Sequence, residues 1–268
     1  MVKLSALVSV RGEEPSLGDA LRRLAFCDEI VLVADRPTQR TQEIARRHGA
    51  QLLAGIFPLD SQRRTAGAEA CAGDWILEIE ADEQVDSALA WEIRATLQMR
   101  PQGAWFEIPV ANYVAGALVE RGWGGVLGTA RDARLFRRGA KRWPPRRLGG
   151  GVLSGASGGA LKGALRRQVA EDVGGLVERL NRLTALAAED RAETGHAGGY
   201  GAVHGLGHFL GSYVARAGWR EGRLGLLIAL LAGLHPVLTH LRAREILEAR
   251  RRTAGAAAAP ELLKVAAR

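Results

Sequence analysis

The chain has 268 residues, of which 47% are hydrophobic, and a formal net charge of +8. That hydrophobic fraction is enough to build a core and excludes a disordered protein. Its two cysteines are too few for a disulfide framework or a zinc site. The basic residues are almost all arginine, which a GC-rich coding sequence also produces. The charge therefore favours anionic partners in general and does not by itself indicate nucleic acid.

The N-terminal half alternates short apolar strands with helices. Glycine follows directly on two of the predicted helices, as it often does at a helix end. The expected elements in chain order are strand 2–10, helix 16–26, strand 29–35, helix 40–48, strand 51–56, helix 61–72 and strand 75–80. This rhythm with short connections predicts an α/β fold with a mostly parallel, doubly wound sheet. The first apolar run is short and alternating, so we expect a strand and a cytoplasmic protein, not a signal peptide.

The pattern changes after a helix predicted at 86–98. Two strand-like segments, 104–110 and 131–138, are separated by a Gly/Trp-rich loop. The following stretch is rich in Pro and Gly, which predicts a loop or linker. The expected organisation is an α/β domain at 1–145, a linker at 146–163 and a helical region at 164–268.

The C-terminal region carries helical periodicity and one long apolar run. Helices are expected near 173–187, at 202–217 and at 222–252, with a frayed tail from Ala254. The run Leu224–Leu234 is too short to span a bilayer comfortably. Flanking arginines favour a helix lying on the cytoplasmic face of an inner membrane, and packing against the α/β domain is the alternative. The flanking residues are Arg220, Arg223, Arg242 and Arg244.

The strand at 75–80 leads into a cluster of carboxylates, Glu80, Asp82 and Glu83. In open α/β sheets the carboxyl edge of the strands is where ligands bind. Carboxylates one residue apart at that edge suit Mg²⁺ or Mn²⁺ holding a diphosphate. The alternative is a solvated turn before the next helix, with Asp82 or Asp86 as its N-cap.

Several segments in order resemble family 2 glycosyltransferases, in the branch that contains lipopolysaccharide core β-glucosyltransferases. The N-terminal matches are Val10-Arg11-Gly12-Glu13-Glu14, Ala34-Asp35-Arg36-Pro37-Thr38-Gln39-Arg40-Thr41, Gln62-Arg63-Arg64, Gly73-Asp74-Trp75 and Glu80-Ala81-Asp82-Glu83. The later matches are Gly122-Trp123, Arg134-Leu135-Phe136-Arg137-Arg138, Glu178-Arg179-Leu180-Asn181-Arg182-Leu183-Thr184 and Gly222-Arg223-Leu224-Gly225-Leu226-Leu227. The resemblance covers most of the chain. It implies a GT-A fold, that is, a Rossmann-like nucleotide-sugar domain, with a helical C-terminal region.

The chain departs from the family pattern in four places. Ala34 stands where the uridine-binding loop usually has its first Asp, although Asp35 is adjacent. Glu80 replaces the first Asp of the metal motif. The family's His-Glu pair is absent after Arg142-Trp143, and Arg167 stands near the place of an expected histidine.

The resemblance also implies roles for individual residues. The predicted activity is inverting transfer of a sugar from a nucleotide sugar, with a UDP-sugar favoured, to a cell-envelope glycan or glycolipid. Asp82 and Glu80 are the predicted metal ligands, and Asp132 and then Glu107 the candidates for the catalytic base. For Arg63 and Arg64 the alternative is a solvated helix start. The predicted donor-binding residues are Glu13, Glu14, Asp35, Arg63, Arg64 and Glu80.

Other functions have weaker support in the sequence. His204 and His208 have zinc-binding spacing, with His196 nearby, but lack a suitable third ligand. The departures motivate a second hypothesis, a catalytically degenerate relative that binds a nucleotide sugar or a partner enzyme. A nucleic-acid-binding protein is not expected, because the aromatic residues are sparse and form no stacking platform.

Overall fold

The computed structural model describes residues 2–11, 16–124, 127–194 and 202–266. The strands are β1 Leu4–Arg11, β2 Glu29–Asp35, β3 Gln51–Gly55, β4 Trp75–Glu80, β5 Glu83–Gln84, β6 Trp105–Val114, β7 Ala117–Val119, β8 Arg131–Arg137, β9 Lys141–Arg142, β10 Val152–Leu153, β11 Ser157–Ala160 and β12 Leu165–Ala170. The helices are α1 Leu17–Arg23, α2 Gln39–Arg47, α3 Asp60–Ala70, α4 Ser87–Gln98, α5 Val173–Glu193, α6 Ala202–Leu210 and α7 Gly222–Ala266. A π-helical turn at Gly211–Ala215 and a 3₁₀ turn at Gly218–Glu221 connect α6 to α7.

The main sheet has the strand order β3-β2-β1-β4-β8-β6-β12-β5, and β7 and β11 also pair with β6. Strands β3, β2, β1 and β4 are parallel, and β8 runs antiparallel between β4 and β6. Helices cover the parallel strands, whose interior residues are buried on both faces of the sheet as in other α/β folds. The predicted α/β class with a helical C-terminal region is therefore confirmed.

Local sequence signals set the helix boundaries around the carboxyl edge of the sheet. The Thr38 hydroxyl accepts a hydrogen bond from the Thr41 amide at the start of α2. The Asp86 carboxylate accepts one from the Leu89 amide, 2.8 Å away, at the start of α4. Asp86 is thus the N-cap that the alternative interpretation proposed. The preceding segment is not a solvated turn, however, because Glu83 has no exposed surface.

The segment predicted as a linker instead contains strands. Residues 157–160 form β11, which pairs in parallel with β6, and 152–153 pair with β9. The next element is also a strand, β12, which joins β6 to β5. The sheet therefore continues past residue 145 into the region predicted to be helical. Composition indicated a loop because these short strands are stabilised by pairing with distant strands, not by apolar side chains of their own.

The C-terminal helices pack on the far end of this sheet. Leu176 and Leu180 of α5 and Ile228 and Leu231 of α7 form a second core with Trp123. Helix α7 continues to Ala266, where a frayed tail was expected. By length and composition alone, 218–253 could cross a membrane, with 39% of its apolar window buried. This segment contains the whole of the helix predicted at 222–252, and the apolar run at 224–234 is only the N-terminal part of that helix.

Candidate functional site

A cavity of about 670 Å³ opens at the carboxyl edge of the sheet. It lies between the ends of β1 and β4, the start of β8, strand β12, and one face of α5. Nine basic and four acidic side chains line it. Such an excess of positive charge in a partly enclosed space favours an anionic ligand, and the volume is typical of a small-molecule site.

Glu78 on β4 forms ion pairs with three of the basic side chains that line the cavity. Its carboxylate accepts a 2.6 Å hydrogen bond from Lys141 Nζ and another from Arg64 Nη1. Arg134 Nη1 lies 4.0 Å from the same carboxylate. Burial alone would raise the pKa of Glu78, but Lys141, Arg64 and Arg134 outweigh it and lower the pKa to about 2. Glu78 therefore carries a full negative charge inside the protein.

Glu80 and Asp82 share one arginine. Arg167 Nη2 donates to Glu80 Oε2 at 2.6 Å, and Arg167 Nε donates to Asp82 Oδ2 at 3.1 Å. Glu80 Oε1 also accepts from Arg64 at 3.1 Å and Arg134 at 3.4 Å. Burial opposes ionisation of Glu80, yet these three arginines hold its pKa well below the usual value. A guanidinium thus bridges the two carboxylates of the predicted metal motif.

Glu83 lies behind this pair. Its Oε2 accepts from the Glu80 amide at 2.9 Å and its Oε1 from Arg134 Nη2 at 2.8 Å. Arg134 and Arg167 lower the pKa of Glu83. Burial, together with the negative charges of Glu80 and Asp82, outweighs them and raises this pKa to about 7. The pairing of β12 with β5 sets Arg167 directly opposite Glu83.

Arg179 of α5 completes the group. Its Nε donates to the Leu127 carbonyl at 3.1 Å, while its Nη1 lies 3.7 Å from Asp82 Oδ2. Burial, and then repulsion from Arg167, lower the pKa of Arg179. Within the described part of the chain, the buried Asp82 Oδ1 has no hydrogen-bond partner.

The arrangement does not fit a divalent cation. Both oxygens of Glu80 and one oxygen of Asp82 already accept hydrogen bonds from arginine, so Asp82 Oδ1 is the one oxygen of these two carboxylates without a hydrogen-bond partner. An ion at that oxygen would lie beside the guanidinium groups of Arg167 and Arg179, and like charges repel strongly in a partly buried site. Among the described residues, no group of three His, Cys, Asp or Glu side chains is placed to hold a metal. This applies to His204 and His208, and His196 lies outside the described residues.

The predicted donor-binding residues occupy different positions around the cavity. Arg63 and Arg64 both line it, so neither is a solvated helix start. Arg63 donates to the Val10 carbonyl at 2.8 Å and to Asp60, and Arg64 binds Asp60 along with the β4 carboxylates. Asp35 ends β2 at the same sheet edge, where it accepts from the Phe57 amide at 3.3 Å, but it does not line the cavity. Glu13 and Glu14 lie outside the described residues.

The two candidate bases, Asp132 and Glu107, lie on opposite faces of the sheet. Asp132 pairs with Ile108 and Glu107 pairs with Ala133, so the two carboxylates project from opposite faces. Asp132 lines the cavity, with Oδ2 3.3 Å from Arg134 Nε. Glu107 does not line it and lies 3.9 Å from Arg131.

Several basic residues of the site were not predicted from the sequence. These are Arg134, Lys141, Arg147, Arg167 and Arg179. Arg134 and Arg179 stand in segments that match the glycosyltransferases, and Arg167 stands near an expected histidine, so the resemblance marked their positions without their role. Nothing in the local sequence distinguishes Lys141 or Arg147 from surface residues.

Comparison with known proteins finds similarity to glycosyltransferases. No family model matches it. The lipopolysaccharide core biosynthesis glycosyltransferase LpsC of Rhizobium meliloti is 26% identical over 253 residues, covering 88% of this chain and 90% of that protein. The chain is therefore similar to a glycosyltransferase over most of its length. An uncharacterised glycosyltransferase of Rickettsia typhi is 28% identical over 94 residues, or 35% of this chain. The chain thus spans about a third, 32%, of the length of that relative.

Solved structures match over less than half of this chain. Glucosyl-3-phosphoglycerate synthase from Mycobacterium tuberculosis, in complex with Mn²⁺, UDP and glucosyl-3-phosphoglycerate, has a TM-score of 0.34 at 16% identity, covering 42% of this chain and 44% of that one. Mannosyl-3-phosphoglycerate synthase from Rubrobacter xylanophilus has a TM-score of 0.38 at 19% identity, covering 47% and 44%.

Proposed function

We propose that the protein transfers a sugar from a nucleotide sugar, a UDP-sugar in the first instance, to a cell-envelope glycan or glycolipid. The observation that carries this proposal is the cavity with nine basic side chains at the carboxyl edge of a GT-A-type sheet. The developing charge on a departing diphosphate needs fixed positive charge nearby, and such electrostatic stabilisation is usually the largest catalytic term. The similarity to LpsC over most of both chains supports a lipopolysaccharide-core-like acceptor.

Two groups of residues carry the proposed chemistry, the basic side chains of the cavity and the carboxylate of Asp132. Basic side chains along the cavity bind and orient the diphosphate, and Asp132 accepts the proton of the acceptor hydroxyl. Attack on the face opposite the leaving group inverts the anomeric carbon. Asp132 is preferred to Glu107 because it is the candidate that lines the cavity. Mg²⁺ or Mn²⁺, predicted from the sequence, would supply further positive charge at the diphosphate, but the residues present do not fit it.

The direct test is transfer of a radiolabelled sugar. The protein is incubated with labelled UDP-, GDP- and CDP-sugars and with lipopolysaccharide or membrane glycolipid extracts, and label in the lipid fraction is counted. We expect incorporation from one donor and loss of it in Asp132→Asn, with the Glu107→Gln variant as the matched control that retains activity. Absence of transfer from every donor, together with absence of nucleotide binding, would contradict the proposal.

A second candidate function has one observation in its favour. Asp132 already pairs with Arg134, and the two predicted metal ligands already pair with Arg167. A site whose carboxylates are all occupied suits a relative that binds a nucleotide sugar without turning it over. Saturable binding of a donor without transfer to any acceptor would favour this alternative.

We further propose that the helical region lies on the cytoplasmic face of the inner membrane. Leu226, Leu230, Leu234 and Leu241 are exposed and lie on one side of α7, whose other side packs on α5 and α6. Exposed Arg223 near the start of this face and Arg244 near its end complement anionic headgroups. Further exposed apolar residues lie on α6 and the turns after it: Val203, Leu206, Leu210, Val214 and Trp219.

Vesicle flotation tests the membrane proposal. We expect the intact protein to float with vesicles of anionic lipid more than with neutral ones, and Leu230→Glu to reduce flotation severalfold. Equal recovery of both proteins in the unbound fraction would contradict it.

A further inference from the structure

We infer that Arg167 takes the position of the divalent cation in this site, so that the protein binds the diphosphate of its donor without a metal. The inference rests on the proposed function for the identity of the ligand as a nucleoside diphosphate sugar. It concerns the chain's own residues and reverses the prediction of Mg²⁺ or Mn²⁺ that the carboxylate motif gave.

The first observation is the geometry of the bridge. Arg167 contacts three carboxylates: Glu80 at 2.6 Å, Asp82 at 3.1 Å and Glu83 at 3.7 Å. A cation held between Glu80 and Asp82 is what a metal motif provides. Here a guanidinium fills that space, with its planar fork pointing at two carboxylates.

The second observation is that the bridge is built into the fold. Arg167 is buried on β12, opposite Glu83 of β5. The Gln168 amide donates to the Asp82 carbonyl at 3.1 Å, so the backbone holds this part of β12 against the carboxylate segment. The strand pairing fixes the backbone of Arg167 beside the carboxylates, and a metal ion that displaced its side chain would have to break its ion pairs with Glu80, Asp82 and Glu83.

The third observation is a surplus of positive charge facing the cavity. Arg179 lies 3.7 Å from the nearest described carboxylate oxygen, Asp82 Oδ2, and that carboxylate is already engaged by Arg167. Burial and the proximity of Arg167 disfavour the charged form of Arg179. Arg182 lines the cavity one helical turn further along α5. A diphosphate would supply the missing negative charge, and guanidinium groups bind phosphate oxygens bidentately.

Calorimetric titration with UDP in metal-free buffer with chelator, and again with excess Mn²⁺, tests the inference on the wild-type protein. We expect the same affinity within about twofold in both buffers. Free Mn²⁺ should not bind to the wild-type protein. Binding would be detected as a loss of the paramagnetic resonance signal of free Mn²⁺. These wild-type measurements need no variant and so do not depend on any variant folding.

Variants at Arg167 sharpen the test. Arg167→Ala should weaken UDP binding in chelator about 10- to 100-fold, the range for loss of a charged hydrogen-bonding partner. With the guanidinium gone, Mn²⁺ should now bind at Glu80 and Asp82 and restore part of the UDP affinity. Arg166→Ala is the matched control, since it removes the same charge from the neighbouring residue, which is exposed and stacks on Tyr113. It should leave both measurements unchanged.

The possible results separate the inference from the proposed function. UDP binding that requires Mn²⁺ in the wild type would overturn the inference and leave the proposed function standing. Metal-independent UDP binding that Arg167→Ala and Arg166→Ala weaken equally would also overturn it. No binding of UDP in either buffer would overturn the inference, and the proposed function would fall with it only if GDP and CDP do not bind either and no donor sugar is transferred.

Discussion

Glu78→Gln is predicted to destabilise the protein strongly. The substitution keeps the shape of a side chain that has no exposed surface but removes the negative charge that Lys141 contacts at 2.6 Å. Leaving one partner of a buried ion pair uncompensated costs about 3–5 kcal/mol. The lowered pKa of Glu78 points in the same direction, because Lys141, Arg64 and Arg134 stabilise its ionised form in the folded protein more than burial disfavours it.

The effect should depend on pH in a defined direction. Because the folded-state pKa of Glu78 lies below the unfolded-state pKa, its stabilisation is complete above pH 4.5 and is lost as the pH falls toward 2. The free energy of unfolding, measured by urea titration, should therefore differ by ~3 kcal/mol between wild type and Glu78→Gln at pH 7. The difference should shrink below pH 4.5. The control Glu248→Gln removes an exposed carboxylate 3.5 Å from Arg244 and should change stability by less than about 0.5 kcal/mol. A Glu78→Gln protein as stable as the control would refute the reasoning.

Three further predictions concern packing, thiol reactivity and the base. Gly67→Ala should lower the free energy of unfolding by about 1–3 kcal/mol, because a Cβ there would meet core side-chain carbons at 2.4 Å; an unchanged urea midpoint would count against this packing. Cys27 and Cys71 should react with a thiol reagent at pH 8 far more slowly than in the unfolded chain, because burial raises both pKa values to about 12; equal rates would contradict it. The rate of sugar transfer should fall by about 100-fold or more in Asp132→Asn and stay near the wild-type rate in Glu107→Gln, and the reverse result would exchange their roles.

The N-terminal part of the fold was predictable because local signals and tertiary structure agree there. The segments Leu4–Arg11, Glu29–Asp35 and Trp75–Glu80 are apolar runs that the sheet buries on both faces. Short connections then leave little choice but a parallel sheet. The C-terminal strands Ser157–Ala160 and Leu165–Ala170 gave no such signal, since one is made largely of glycine and small residues and the other carries two arginines.

The site was predictable in its location and not in its charge balance. Glu80 and Asp82 follow a buried strand, so their place at the sheet edge follows from local sequence alone. Arg167 reaches them from 85 and 87 residues away through the pairing of β12 with β5. No periodicity or spacing encodes such a long-range contact. The sequence of the carboxylate motif is therefore not enough to predict its charge balance, because a distant residue such as Arg167 can form ion pairs with it.

The cavity is assigned here to a nucleoside diphosphate, and comparing UDP with UMP and uridine by calorimetry tests that assignment most directly. We predict that UDP binds, that UMP binds at least tenfold more weakly because one phosphate is lost from the basic lining, and that uridine binds weakest of all. Added salt should reduce the difference between UDP and UMP. Equal affinity for the three compounds, or no binding of any of them, would contradict the assignment.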